Sequence, residues 1–435
     1  MTKTYRPYQP EQDLLLPPSL RDWLPENHLA YFVSDLVEQL DLSAITAVYE
    51  QDLRGQPPYD PRLMTKLLVY GYCVGVFSAR KIEQRVVEDV AVRVLAAGNA
   101  PDFRTIADFR KMHRKALEGF FEQVLRMALE VGAVQVGRVA LDGSKVKANA
   151  SKHKAMSYGR MQEQEAIRKE VRKLLQQAAE TDAAEDRRYG KNRRGDELPE
   201  ELQRHETRLK RIRAAKQALE ERAREEAKAD GKPGEGAKPA AKAPYNFTDP
   251  ESRIMKSSSE GFVQAYNAQI AVEPVMQLIV GQAVTQAAND KEQVEPMVEA
   301  IEAQSGQRPE EMLADNGYCS EKNLEYLESA QKPRKKIEAY LATGRQKHGE
   351  RPVCPRGPVP QGATRVERMR RKLQTKAGAA IYAARKAIVE PVFGQIKQVR
   401  GFRRFSMRGL AKVQAEWALV CATHNILKVY RLCYG

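Results

Sequence analysis

The stretch "VALDGSKVKANAS", residues 139–151, alternates Val139 and Leu141 with Ala140 and Asp142 before a Gly-Ser pair. This is the pattern of a short strand closed by a turn, with Asp142 near the strand end. A strand-end aspartate is often only a turn residue, so its meaning depends on the segments downstream in the chain. "YNAQIAVEP" (266–274) and "QLIVGQAVT" (277–285) read as an antiparallel pair, joined by a turn near Pro274 to Gln277. "NDKEQVEPMVEAIEAQ" (289–304) reads as a helix in which Asn289 and Glu292 form an N-x-x-E box, which gives Asp290 a helix-start role ahead of a catalytic one. Another strand, "EEMLADNGY" (310–318), ends in Asp315, and Ser320 caps the helix after it. "KKIEAYLATG" (335–344) reads as a last strand, ahead of a Pro- and Gly-rich loop and a helix carrying Glu390.

That order is strand with Asp142, two strands, helix, strand with Asp315, helix, strand, helix with Glu390. It predicts an α/β fold, a ribonuclease H-like mixed sheet with flanking helices. Two aspartates and a glutamate gathered at one point repel each other unless divalent cations neutralise them, so the cluster predicts an oxygen-ligand site for Mg²⁺, with Mn²⁺ able to substitute. Two such ions about 4 Å apart activate a water and stabilise a leaving oxygen at a phosphodiester. The chemistry predicted is phosphoryl transfer.

The helix with Glu390 sits in "AIYAARKAIVEPVFGQIKQVRGFRRFSMRG" (380–409), where one acid stands among seven Lys and Arg. Pro391 predicts a kink or a new helix start at Glu390. Glu390, Gly394 and Lys397 fall on one helical face, so the carboxylate can hold a metal while the ammonium reaches a DNA phosphate. Lys397, Arg400, Arg403, Arg404, Arg408 and Lys412, interleaved by Phe402 and Phe405, suit backbone binding or stacking on DNA beside the cut.

Composition agrees with such a partner. The 435 residues carry 72 Lys and Arg against 57 Asp and Glu, a net charge of +15 and a pI near 9.4, which favours a polyanion. The longest apolar run, Leu67 to Phe77, is too short to cross a bilayer, and the N-terminus has no secretory core, so a cytoplasmic protein is expected. The five cysteines are scattered, without C-x-x-C pairs, and read as reduced and structural.

Upstream, residues 60–131 read as a helical domain: Asp60 caps a helix with Pro61 in its first turn, a second helix follows Ser78, and a third begins at Thr105 with a "TIAD" capping box. Arg104, Arg110, Lys111 and Arg114 project where a helix-turn-helix recognition helix meets DNA, or equally line a solvated face. Residues 162–242 are nearly all Ala, Glu, Lys, Arg and Gln. Ile167, Val171, Leu174 and Ala178 stripe one segment and Leu202, Leu209, Ile212 and Leu219 another. They predict an inserted antiparallel helical hairpin closed by a flexible linker, "GKPGEGAKPAAKAP". The expected organisation is an all-α DNA-binding domain at 1–134, a catalytic domain at 135–152 and 244–435, and the charged insertion at 153–243.

"VALDGSKVKANAS", "LADNGYCS" and "IVEPVFGQIKQVRGFRRFSMRG" resemble the three catalytic blocks of bacterial insertion-sequence transposases of the DDE superfamily. "YRPYQPEQDLLLPPSLRDWLPENHLAYFVSDLV" resembles their N-terminal domain. The resemblance implies that Asp142, Asp315 and Glu390 are the metal-binding triad. It implies an enzyme that binds the terminal inverted repeats of its element, cuts there with two Mg²⁺ and joins a 3′-hydroxyl to target DNA, as a homodimer holding two ends. In many relatives the glutamate lies in a Tyr-x2-Arg-x3-Glu-x6-Lys signature. Here Lys397 is in register, but Tyr382 and Arg385 stand one residue too far upstream. A ribonuclease H-like nuclease without joining, and a DNA-binding repressor that has lost its chemistry, are the alternatives.

Overall fold

The computed structural model describes residues 19–50, 57–151, 154–165, 200–229, 233, 236–257, 260–329, 335–344 and 357–435. Its centre is a six-stranded mixed sheet. Strand β1 (Arg138–Lys147) pairs antiparallel with the long β5 (Gly261–Val272), whose far edge carries β4 (Arg253–Ser257) and then β6 (Ile279–Thr285). On the other side of β1 lie β7 (Glu311–Ala314) and β8 (Glu338–Leu341), both parallel to it. The antiparallel β1, β5 and β6, followed by two strands parallel to β1 and reached through helices, make the ribonuclease H-like arrangement expected from the strand order, and β4 is an edge strand added to it.

β1 departs from the expected strand and turn. Gly143 and Ser144 form no turn; the strand runs through them, because β5 pairs with every residue from Ala140 to Lys147, Gly143 opposite Gln269 and Ser144 opposite Ala268. Local turn chemistry yields here to twelve residues of partner strand. Asp142 is therefore a mid-strand residue.

Two of the N-terminal helices read from the sequence are each two in the structure. The chain forms α1 (Leu29–Gln39), α2 (Ser43–Glu50), α3 (Pro61–Cys73), α4 (Ala79–Glu88), α5 (Val90–Ala96), α6 (Phe103–Met112) and α7 (Arg114–Glu130). Asp60 caps α3, accepting from the Arg62 amide at 2.7 Å, as expected. Asp89 ends α4 and caps α5, accepting from Ala91 and Val92. Asp102, not Thr105, caps α6, taking the Thr105 amide at 2.7 Å. Buried His113 separates α6 from α7 and meets the Tyr49 hydroxyl at 2.9 Å.

The insertion is described from its second arm, α8 (Glu200–Ala229), whose Ile212, Ala215 and Leu219 pack on Tyr158 and Met161 in a small core of their own. The expected first arm, with Ile167 to Ala178, lies outside the described residues. So do parts of the expected linker, but its end is not free: Gly159 and Tyr158 donate backbone bonds to Ala241 and Ala243, and β3 (Pro244–Asn246) pairs with β2 (Ala155–Ser157).

Helix α9 (Val294–Ser305) connects β6 to β7, and α10 (Glu321–Glu328), capped by Ser320 as expected, connects β7 to β8. α11 (Arg365–Gln374) leads into α12 (Lys376–Gly394), which carries Glu390 and runs through Pro391 into a π-helical turn at Gln395–Val399. Pro391 is neither a helix start nor unsupported. It cannot bond the carbonyl of Ala387, and the Gln277 side-chain amide, from the β5–β6 turn, donates to that carbonyl instead at 2.9 Å.

The last helix, α13 (Leu410–Tyr434), is buried on all sides from Ala415 to Ile426, and packs on α3, α7 and β6 at once. A helix apolar all round belongs in a core. One hydrophobic core thus runs from α1 through α13 into the sheet. Glu416 in it, 1% exposed, is fully engaged, accepting from Tyr72, from the amides of Ser406 and Met407 and from the Ser406 hydroxyl. His424 is the core histidine expected, bonded to the Gln277 carbonyl at 3.0 Å and lowered by burial to a pKa of about 3.

Candidate active site

The parallel register of β1 and β7 builds the site. Arg138, Val139 and Ala140 stand opposite Glu311, Met312 and Leu313, so two residues further on Asp142 comes beside Asp315, just past the end of β7. Each carboxylate is tethered through one oxygen: Asp142 Oδ1 accepts from the Gly143 amide at 2.9 Å, and Asp315 Oδ1 from the Gly317 amide at 2.8 Å.

Asp290 is the third acid here, and its expected cap role is not what the structure shows. α9 begins at Val294, and Gln293 before it makes no side-chain cap. Asp290 turns its carboxylate to the sheet, where Oδ1 accepts from Asn267 Nδ2 at 2.6 Å and Gln269 Nε2 at 2.7 Å, with Lys145 Nζ at 3.4 Å. The N-x-x-E pattern is local, whereas two amides on one face of β5 offer a fuller set of donors. The available signal was in the strand: Asn267 and Gln269 are polar residues two apart in a run that is otherwise apolar.

Gly143 makes this packing possible. A Cβ there would overlap the Gln269 amide nitrogen and lie 2.9 Å from Asp290 Oδ1. Gln269 continues the network by accepting from the buried Tyr318 hydroxyl.

Burial raises Asp142 to a pKa of about 6. The Arg385 guanidinium opposes the rise, and the charges of Asp315 and Asp290 add to it. Arg385, 8% exposed, lies 3.7 Å from Asp142 Oδ2, while its Nε and Nη1 have no hydrogen-bond partner. Tyr382 stands beside it.

Glu390 is exposed and is not among the charges acting on Asp142. The spacing explains this: five residues at about 100° each turn Glu390 roughly 140° away from the Arg385 face, whereas a spacing of four would align them. Among the described residues no three His, Cys, Asp or Glu side chains close round one point tightly enough to hold a metal ion.

The basic residues divide. Lys397 reaches β1, bonding the Ser144 hydroxyl, and burial lowers its pKa. With Lys145, Lys147, Lys256 and Arg403 it lines a cleft of ≈ 440 Å³ whose one acid, Glu260, pairs with Lys147. Arg403, Arg404 and Arg408 are exposed. Arg400 is not a surface residue: it is buried, donates to Thr423 Oγ1 at 3.0 Å and the Val420 carbonyl at 2.9 Å, and is lowered to a pKa of about 10 by burial. Phe402 and Phe405 are buried against Trp417 rather than open to bases. In the helical region Arg110 is likewise buried, bonding Tyr72 and the Phe77 carbonyl. Arg104 and Lys111 are exposed, Arg114 half-buried, and Lys111 pairs with Asp108 at 2.9 Å.

The four described cysteines are all free, Cys73 and Cys421 buried, Cys319 half-buried and Cys433 exposed, while Cys354 lies outside the described residues. Among the described residues no helix is long and apolar enough to cross a membrane.

A ribonuclease H-like mixed sheet that brings aspartates of two neighbouring parallel strands side by side defines the fold class. Similarity to known sequences adds the family. A transposase DDE domain matches residues 229–426, spanning Asp290, Asp315 and Glu390 but beginning after Asp142, and a second transposase domain matches residues 18–112. The chain is thereby an insertion-sequence transposase of the DDE type. No curated protein and no solved structure matches significantly.

Proposed function

We propose that this transposase binds the terminal inverted repeats of its element, cleaves DNA at their ends and joins the freed 3′-hydroxyl to target DNA. The observation that carries the reading is the pairing of Asp142 with Asp315 across the β1–β7 register, in a burial that leaves Asp142 short of neutralising charge. Facing carboxylates with untethered oxygens are hard donors that fit a divalent cation such as Mg²⁺ or Mn²⁺. Asp142 and Asp315 would hold it, and Glu390 would join them on DNA binding through movement of the end of α12. Bound there, a pair of such ions supplies an activated water and a stabilised leaving oxygen.

The chain's own groups do the rest. Lys397, fixed on β1 beside Asp142, meets a backbone phosphate, and Arg403, Arg404 and Arg408 hold the strand leading to it. Arg104, Lys111 and Arg114 contribute to recognition of the ends, and a second copy of the chain holds the other end. The test is incubation of the protein with DNA carrying its element's ends, a target plasmid and Mg²⁺. Joined products support the reading; nicks without joining leave a nuclease, and binding without nicks leaves a repressor.

A further inference from the structure

We infer that Asp290 is a carboxylate of the cation site itself, acting with Asp142 and Asp315. The inference rests on the proposed cation-dependent chemistry and names a residue for it beyond the expected triad. Asp290 Oδ1 is held from two sides by the buried amides of Asn267 and Gln269 and approached by Lys145, which fixes the carboxylate plane before any ligand arrives. None of those bonds uses Oδ2. That oxygen faces Gly317, 3.6 Å from where a Cβ would stand, on the side where Asp315 Oδ1 lies 3.0 Å from the same point. Asp290 therefore follows the pattern of Asp142 and Asp315, with one oxygen tied to the scaffold and the other open.

A second, independent feature points to a ligand in the same space. Arg385 is more than nine-tenths buried, is aimed at Asp142, and has two nitrogens without hydrogen-bond partners. Unused guanidinium donors at the rim of an acidic cluster suit an anion bound together with a cation, as a DNA phosphate brings with its metal. Glu390 is exposed near the end of α12, whereas the charges of both Asp315 and Asp290 act on Asp142, so Asp290 is the third carboxylate that the fold already brings to this space.

The experiment is Mn²⁺ binding without DNA, followed by electron paramagnetic resonance, for the wild type and for Asp142→Asn, Asp315→Asn and Asp290→Asn. Asp290→Asn is expected to weaken Mn²⁺ at least tenfold, as much as Asp142→Asn does. Binding within twofold of wild type, while the other two variants lose it, overturns the inference and leaves the proposed site standing. Unchanged binding in all three overturns both. Should Asp290→Asn fail to fold, the wild type loaded with Fe²⁺ and given ascorbate and peroxide decides: backbone scission near 290 as well as near 142 and 315 is expected, and scission near 142 and 315 alone overturns the inference.

Discussion

The side-chain amide of Gln277 replaces the hydrogen bond that Pro391 denies to Ala387, at 2.9 Å. Gln277 holds a left-handed backbone, φ 58°, and its other groups accept from His424 and Lys428 of α13. One turn residue thus ties α12, α13 and the β5–β6 hairpin together. Gln277→Ala is expected to cost about 0.5–1.5 kcal/mol, the net worth of a typical hydrogen bond, since the Ala387 carbonyl is at the surface. Pro391→Ala added to it restores a donor for Ala387, so urea unfolding of the double variant should show less loss than the sum of the single ones.

Asp142 gives a pH dependence whose sign is fixed. Its folded pKa, about 6, lies above the ordinary aspartate range, so between roughly pH 4 and 6 the native state holds more protons than the unfolded chain, and stability from this group falls as pH rises through that window. Asp142→Asn, which removes the buried charge, should stabilise the metal-free protein at pH 8 by on the order of 1–3 kcal/mol and have little effect at about pH 4. Calorimetry at the two pH values with a chelator present checks this.

Gly143→Ala tests the packing behind the acids. The added methyl meets Gln269 and Asp290, and overpacking of this kind costs about 1–3 kcal/mol. The protein should remain folded by circular dichroism while end cleavage falls more than tenfold, because the displaced groups are those that aim the carboxylates.

The arginines of the segment after α12 should separate by burial. Arg404→Ala is expected to weaken DNA binding and lower the slope of log affinity against log salt by about 1, with no loss of stability. Arg400→Ala should do the reverse, lowering the melting temperature first, since it removes two buried hydrogen bonds to α13 and leaves a cavity in the core.

Removing residues 159–242 tests the insertion. Its core of Tyr158, Met161, Ile212, Ala215 and Leu219 is separate from the main one, so a short Gly-Ser replacement should melt within a few degrees of the intact protein. Single-end nicking should persist while coupled joining of two ends drops. Unchanged two-end joining would leave the insertion without an assembly role.

Strands β1, β5, β6, β7 and β8 were legible because apolar alternation is local, and the β1–β7 register then follows from the fold; the edge strand β4 was not read, and the turn expected at Gly143 and Ser144 gave way to pairing with β5. Asp290 was not legible, because an N-x-x-E box satisfies the same local rules as a cap, and only the amides of β5, more than twenty residues earlier, override it. Nor was the division of the arginines. In a basic run every third or fourth residue can turn inward, and charge counting cannot tell Arg400, which anchors α13, from Arg403 and Arg404 in solvent. Phe402 and Phe405 were misread for the same reason: an aromatic between cations looks available for stacking until Trp417 closes over it.

Helix α13 has one side on α3 and α7 and the other on β6, and Glu416 joins Tyr72 of the helical region to Ser406 of the catalytic segment. The amino-terminal helices are therefore not a cassette. Exchanging them for those of a relative would cut through shared hydrophobic contacts rather than a hinge, so these helices and the sheet must change together to keep that core packed.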